Sequence, residues 1–238
     1  MFKSFSAMIL AAGYGKRMLS LTKEIPKPLV KVNSAPLLKN SIDFLYKIGC
    51  KKIVINTHYK HNLISEFIQE ISKNLTEEFY GCWQSCFDSI NFNFINFVHK
   101  DFNINNLIYL PSRKDHLKCG LLDFQGAFWG ECCWDLFSLL EDSRIYFDDQ
   151  FNDYFIKFYY KSTNQNINID DFKEKYYMLN CARQTRLLGR WVKLSKELNQ
   201  SFYLGFIETT KKRLVKGIEK TNRKNLKLIY KKLIPGLF

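Results

Sequence analysis

Residues Phe97 to Asp135 read FVHKDFNINNLIYLPSRKDHLKCGLLDFQGAFWGECCWD, and this stretch decides how the rest of the chain is read. An apolar run ends in His99-Lys100-Asp101, and Asn106 lies five residues beyond the aspartate. Two short apolar strands follow, Leu107–Leu110 and Lys118–Leu122, with the polar turn PSRKDH between them. The second strand leads into Asp123-Phe124-Gln125. A short turn joins antiparallel strands and their alternation sets the register, so the two ends of such a hairpin meet. The spacing therefore predicts that Asp101, Asn106 and Asp123 converge at one end. Two carboxylates and an amide oxygen in one place suit Mg²⁺, which takes oxygen ligands and completes its shell with water and phosphate.

The chemistry that such a set supports is phosphoryl transfer. Asp101 would take the proton of an attacking hydroxyl, while Asn106 and Asp123 would hold Mg²⁺ against nucleotide phosphates. HKDFNINN and LLDFQ resemble the catalytic and metal loops of the kinase-like phosphotransferases, the superfamily of aminoglycoside, choline and amino-sugar kinases. The run GLLDFQGAFWG, followed by WDLFSLLEDSR, is most similar to the anomeric amino-sugar kinases of peptidoglycan recycling. The resemblance covers residues 78–216. It implies ATP with Mg²⁺, an amino-sugar substrate, Asp101 as catalytic base, and Asn106 and Asp123 as metal ligands. It also implies that Asp135 is a buried aspartate bracing the catalytic loop, with His99 bracing rather than reacting. Two positions depart from the family pattern. Lys100 stands where Arg is usual, keeping the charge without the guanidinium fork, and Asn103 stands where many members carry a second His.

Upstream, SAMILAA (6–12) reads as a fully buried strand that runs into Gly13-Tyr14-Gly15-Lys16-Arg17. Glycines just past a strand let backbone N–H groups approach phosphate. The run LAAGYGKRMLSLTKEIPKPLVKV resembles the signature of sugar-1-phosphate nucleotidyltransferases. The resemblance implies that the loop, with Gly15, holds a nucleoside triphosphate. Ala12 and Gly13 would meet base and ribose through their backbone, and Arg17 and Lys27 would neutralise phosphates. A helix at 36–48 ended by Gly49, a buried strand at 51–56 and a helix at 63–71 continue the pattern. That alternation opens a doubly wound sheet.

The expected fold is thus α/β: an incomplete nucleotidyltransferase-like, Rossmann-type βαβα unit over 1–74, then a mainly helical kinase-like C-lobe with a β-hairpin catalytic loop over 75–238. Both parts look truncated. Nothing between Thr57 and Glu77 can supply the metal carboxylates or sugar pocket of the first family. The interval 73–96 holds one helix and a connection rather than a sheet lobe with a glycine-rich loop. The reading is a degenerate fusion left by an internal deletion and inactive as it stands. The alternatives are a phosphotransferase whose missing lobe comes from a partner chain, and a non-catalytic basic scaffold or a binder of nucleic acid or membrane surfaces.

Downstream, Leu136–Arg144 and Asp148–Tyr160 read as helices, followed by an Asn-rich turn. Leu187, Trp191, Leu194 and Leu198 share one helical face, and core packing is expected for Trp191. Trp129 and Trp134 flank the metal loop, where sugar stacking and core packing are both open. Composition bounds the rest. An apolar fraction of 46% supports a packed core, and no run of 18 apolar residues marks a membrane span. The N-terminal MFKSFSAMILAAG is too short a run for a signal and is read as a strand. The formal charge is +13, with much of it after Thr210 in a pattern that also suits a solvated helix face. No motif for specific nucleic-acid binding accompanies it. The seven cysteines show no metal-ligand spacing and suit a reduced, cytoplasmic protein.

Overall fold

The computed structural model describes residues 5–15, 18, 21–163, 166–234 and 236–238. Its elements in chain order are β1 (Phe5–Leu10), α1 (Leu21–Glu24), β2 (Lys31–Val32), β3 (Ala35–Pro36), α2 (Leu37–Lys47), β4 (Cys50–Asn56) and α3 (His61–Asp88). Then come β5 (Asn96–Val98), β6 (Leu107–Tyr109), β7 (Cys119–Leu121), β8 (Phe128–Gly130), α4 (Trp134–Leu140), α5 (Asp149–Ser162), α6 (Ile169–Glu197), α7 (Ile207–Lys220) and α8 (Lys224–Leu233). Two compact units result, one of Met1–Ser85 with Asn225–Phe238 and one of Cys86–Lys224.

In the first unit β1 and β4 pair in parallel, Ala7 opposite Ile53 and Ile9 opposite Ile55. Ala11, Leu38 and Ile64 form the core, with Ile9, Ile42, Ile55 and Phe67 packed around them. One sheet face thus meets α2 and α3. The other lies open: Met8 is 62% and Leu10 79% exposed. The expectation of fully buried strands is corrected here. A parallel sheet is normally covered on both faces, and this one is covered on one. The turn Asn33-Ser34, with φ of 52° and 69°, closes a small β2–β3 hairpin whose last residue, Pro36, the sequence reading gave to the following helix. α3 also differs from the expected helix at 63–71, since it continues unbroken to Asp88. Tyr230 of α8 is buried against the rings of Phe79 and Trp83 on α3.

The second unit has two antiparallel pairs, β5–β8 and β6–β7, followed by helices. Its core joins Cys133, Phe137, Leu140, Ile156, Phe172 and Tyr176. Asp148 and Asn168 accept backbone N–H bonds at the starts of α5 and α6, as short polar side chains do at helix N-termini. The Asn-rich turn between those helices includes Asn164 and Gln165, which lie outside the described residues. Trp191 is buried, as expected, and its Nε1 donates to Thr210 Oγ1 at 3.0 Å. Leu187 is buried and Leu194 half-buried on the same face, but Leu198 is exposed at the helix end. A buried charge network ties these helices together: Glu141 accepts from Arg213 Nη1 at 2.7 Å and from the Tyr176 hydroxyl at 3.4 Å.

Candidate functional site

The catalytic-loop stretch begins where β5 ends. His99 is buried, and because a carbonyl only accepts, its Nε2 carries the proton it donates to Leu122 O at 2.8 Å. Lys100 follows in the left-handed region at φ 78°. The backbone N–H groups of His99 and Lys100 both point to Asp135, meeting Oδ2 at 2.7 Å and Oδ1 at 3.0 Å. Trp134 Nε1 donates to Lys100 O at 3.3 Å, and its ring packs on Phe128 and Phe137. Trp134 is therefore a core and loop-bracing residue, whereas Trp129 is exposed and meets Phe97 edge-on. Burial holds the Asp135 carboxyl above its ordinary value, and the two N–H bonds offset that effect only in part.

Asp101 is exposed. Its backbone carbonyl accepts from Asn103 Nδ2 at 2.9 Å and from Asn106 Nδ2 at 2.8 Å. Asn103 Oδ1 in turn accepts from Asn105 N at 3.1 Å and starts the short turn Ile104–Asn106. The hairpin register places Leu107 opposite Leu121, and Leu122 N–H donates to Asn106 O at 2.9 Å. Asn106 is thus tied by its side-chain amide to the Asp101 carbonyl and by its own carbonyl to Leu122, the residue before Asp123. Asp123 sits in the left-handed region at φ 62°, ψ 41°, and Gln125 Nε2 donates to its Oδ1. A non-glycine residue in that region is uncommon and gathers at functional sites. With its amide nitrogen committed to a carbonyl, Asn106 has Oδ1 as its remaining polar side-chain atom, and amide and carboxylate oxygens are the donor type a hard cation takes. Among the described residues no three His, Cys, Asp or Glu side chains gather as a metal cluster, so such an ion would depend on water and phosphate oxygens.

Sequence reasoning passed over Asn103, noting it only as a replaced His. Its signal was that of any Asn two residues before a turn: a side-chain oxygen able to accept a backbone N–H. It also missed the charge group of Asp142, Arg144 and Arg183. Asp142 is buried and takes Arg144 Nε at 2.9 Å and Nη2 at 2.6 Å.

In the first unit a cleft of about 700 Å³ lies at the end of β1, lined by Ala11, Gly13, Tyr14, Gly15 and Lys27 among others. Gly15 has φ 67°, and a Cβ there would lie 2.8 Å from Thr22 Cγ2, so only glycine fits the turn. Its carbonyl accepts from Thr22 Oγ1 at 3.0 Å. Gly13, Gly15 and Lys27 thus face one cleft, half-buried Ala12 is not among its described lining residues, and Arg17 lies outside the described residues.

Comparison with known proteins agrees with this division. Residues 6–85 match the profile of the Nucleotidyl transferase family, and residues 95–166 match that of the Phosphotransferase enzyme family. The chain is 36% identical over 64 residues to D-glycero-alpha-D-manno-heptose 1-phosphate guanylyltransferase of Campylobacter jejuni, covering 27% of this chain and 29% of that protein. It is 36% identical over 61 residues to the enzyme of that name from Aneurinibacillus thermoaerophilus, 26% of each chain. It is 33% identical over 69 residues to Mannose-1-phosphate guanylyltransferase catalytic subunit beta of Dictyostelium discoideum, 29% of this chain and 19% of that one. The chain thus spans less than a third of the length of each of these relatives. No helix among the described residues is long and apolar enough to cross a membrane. The chain carries a nucleotidyl transferase-family segment followed by a phosphotransferase-family segment.

Proposed function

We propose that the chain descends from a bifunctional protein that phosphorylated the anomeric hydroxyl of an N-acetyl amino sugar and then joined a nucleotidyl group to the product, and that neither centre turns over as it stands. The observation that carries this reading is α3. A single helix fills His61–Asp88, and residues 89–95 alone separate it from β5. The metal carboxylates and sugar pocket of a nucleotidyltransferase, and the glycine-rich sheet lobe of a kinase, both belong in that interval. A lone helix holds neither.

The retained residues still define the phosphotransfer chemistry. Asp101 would accept the hydroxyl proton as the sugar oxygen bonds to phosphorus and the bond to the departing nucleoside diphosphate breaks. Asn106 and Asp123 would hold Mg²⁺, which when bound neutralises charge on the phosphates. ATP is the proposed donor at this centre. At the glycine loop, Ala12, Gly13, Gly15, Arg17 and Lys27 would receive a nucleoside triphosphate, and the guanylyltransferase relatives favour GTP. Without downstream carboxylates that affinity should be weaker than about 1 mM. Such nucleotide chemistry, and buried thiols such as Cys50, Cys86 and Cys133 outside any disulfide, suit a cytoplasmic protein of cell-wall sugar recycling.

The test is ³¹P detection of an anomeric sugar phosphate from N-acetylmuramic acid or N-acetylglucosamine with ATP, beside Asp101→Asn. No product above background is expected. Product from the native chain that vanishes in the variant overturns the inactive reading. A second reading has its own support: Ile108, Tyr109, Leu121 and Leu122 are exposed on the hairpin leading into Asp123. A partner chain that supplies the missing lobe would cover such apolar surface. Turnover restored by a lobe-bearing partner would select that reading.

A further inference from the structure

α6 and α7 meet through a short 3₁₀ segment, Ser201–Phe206, beyond the residues that match the phosphotransferase family. The base of this tip is fixed. Trp191 stacks on Tyr203 at 6.0 Å between ring centroids and packs on Phe206 at 5.2 Å, while Thr210 Oγ1 donates to Phe206 O at 2.7 Å. The crown is apolar and open to water. Phe202 rests on Tyr203 yet is 58% exposed, and Leu198 and Leu204 are 51% and 44% exposed. Exposed apolar residues scattered singly are ordinary, whereas a group of them on one braced tip marks a surface that meets a partner.

Cations rim that crown. Arg190, Lys193 and Lys196 are exposed in the last turns of α6, and Lys212 is exposed early in α7. A helix rises about 1.5 Å per residue, so Lys193 and Lys196 leave it within about 8 Å of Leu198 along the axis. Their long stems can carry the ammonium groups past the apolar residues. Two acids stand among them: Glu197 pairs with Lys193 at 3.5 Å and Glu208 with Lys211 at 2.8 Å. Arg190, Lys196 and Lys212 form no ion pair among the described residues. From Arg190 to Lys212 five cationic side chains outnumber two acidic ones, a net charge of +3.

An apolar centre inside a cationic rim matches the boundary of an anionic bilayer, where acyl chains lie beneath a layer of phosphates. Nucleic acid would satisfy the rim alone, because Leu198 and Leu204 have no ring for a base to stack on. We propose that the α6–α7 tip seats on an anionic lipid surface. Leu198, Phe202 and Leu204 enter the acyl boundary, and Arg190, Lys196 and Lys212 meet lipid phosphates. The chain then lies on a membrane without spanning it, whether or not either nucleotide centre turns over.

The test is sedimentation of the full chain with vesicles of phosphatidylcholine alone and of phosphatidylcholine with an equal part of phosphatidylglycerol. Protein that pellets without lipid is subtracted. Binding to the anionic vesicles is expected, weakening as salt is raised, with little to the neutral ones. Phe202→Ser with Leu204→Ser should weaken it roughly tenfold or more, and Lys196→Gln with Lys212→Gln roughly tenfold. Lys231→Gln with Lys232→Gln removes the same charge from α8 and should weaken it far less. No binding to anionic vesicles, equal binding to both kinds, or binding untouched by the Phe202 and Leu204 changes overturns the proposal. Equal losses from the two lysine pairs overturn it as well, since total charge rather than the tip would then be read. Tip-dependent binding of a single-stranded oligonucleotide, with vesicle binding independent of the tip, replaces the lipid by nucleic acid. Cooperative unfolding of each variant is recorded first, and Leu204→Ser alone carries the comparison if the serine pair does not fold.

Discussion

Asp135 and Lys100, thirty-five residues apart, are joined by a 3.0 Å hydrogen bond from the Lys100 backbone N–H to Oδ1. Lys100 holds φ 78°, a conformation L-residues seldom adopt, and the adjacent His99 N–H meets the other oxygen at 2.7 Å. One carboxylate thereby sets two consecutive peptides, and with them the direction in which Asp101 leaves the loop. Asp135→Ala should cost about 2–4 kcal/mol, because two backbone donors lose their acceptor. Asp135→Asn should cost less, since an amide oxygen still accepts. Denaturant midpoints of the three proteins check this, and an unchanged midpoint in the alanine variant would remove the brace.

Asp142 links the site to pH. Burial works to raise its carboxyl, but the hydrogen bonds and charge of Arg144 outweigh that effect, and the net shift is downward. A carboxyl depressed in the folded state contributes stability above its unfolded value of about 3.9 and loses it as pH falls through the folded one. The stability gap between the native protein and Asp142→Asn should therefore be full at pH 7 and narrow below about pH 4. Urea unfolding across that range measures it; a gap independent of pH would refute the assignment.

Gly217 lets α7 approach α6. A Cβ at this position would stand 2.6 Å from Cys181 Sγ, and Cys181 is buried. Gly217→Ala should gain up to about 1 kcal/mol in helix propensity and lose about 1–3 kcal/mol to overpacking, for a net destabilisation. Adding Cys181→Ala removes the colliding sulfur, so the double variant should be more stable than Gly217→Ala alone. Thermal unfolding of the four proteins in the cycle decides it.

The two faces of the β1–β4 sheet should respond differently to mutation. Ile64, on α3 in the core beneath one face, is fully buried, whereas Met8 on the other is largely exposed. Ile64→Ala should cost about 2–4 kcal/mol, while Met8→Ser should stay within about 0.5 kcal/mol. Light scattering should also show less self-association for Met8→Ser, because an exposed apolar strand face favours it. A large loss of stability from Met8→Ser would mean that the face is covered.

What the sequence determined alone is local. The alternation around PSRKDH set the β6–β7 register, and that register brings Asn106 opposite Leu122, the residue before Asp123. Gly13 and Gly15 directly after an apolar strand placed the cleft where it is found. The motif resemblance singled out Asp135, and its bonds to the loop are present. Elsewhere, short spacing carried no answer. SAMILAA is apolar on both alternations, so the pattern could not tell a strand buried on two faces from one buried on one; only the neighbours present in the fold decide that. Polar residues after Ile71 read as the end of a helix, yet α3 continues to Asp88, with packing against Tyr230 of α8 supplying what the local pattern lacks. Arg183 is an ordinary helical arginine in sequence. Its Nη1 is buried, and the charges of Asp142, Arg144 and Asp101 reach it from far along the chain. Backbone periodicity is written in neighbouring residues, whereas desolvation and Coulomb interactions depend on distance through space, which the tertiary structure alone sets.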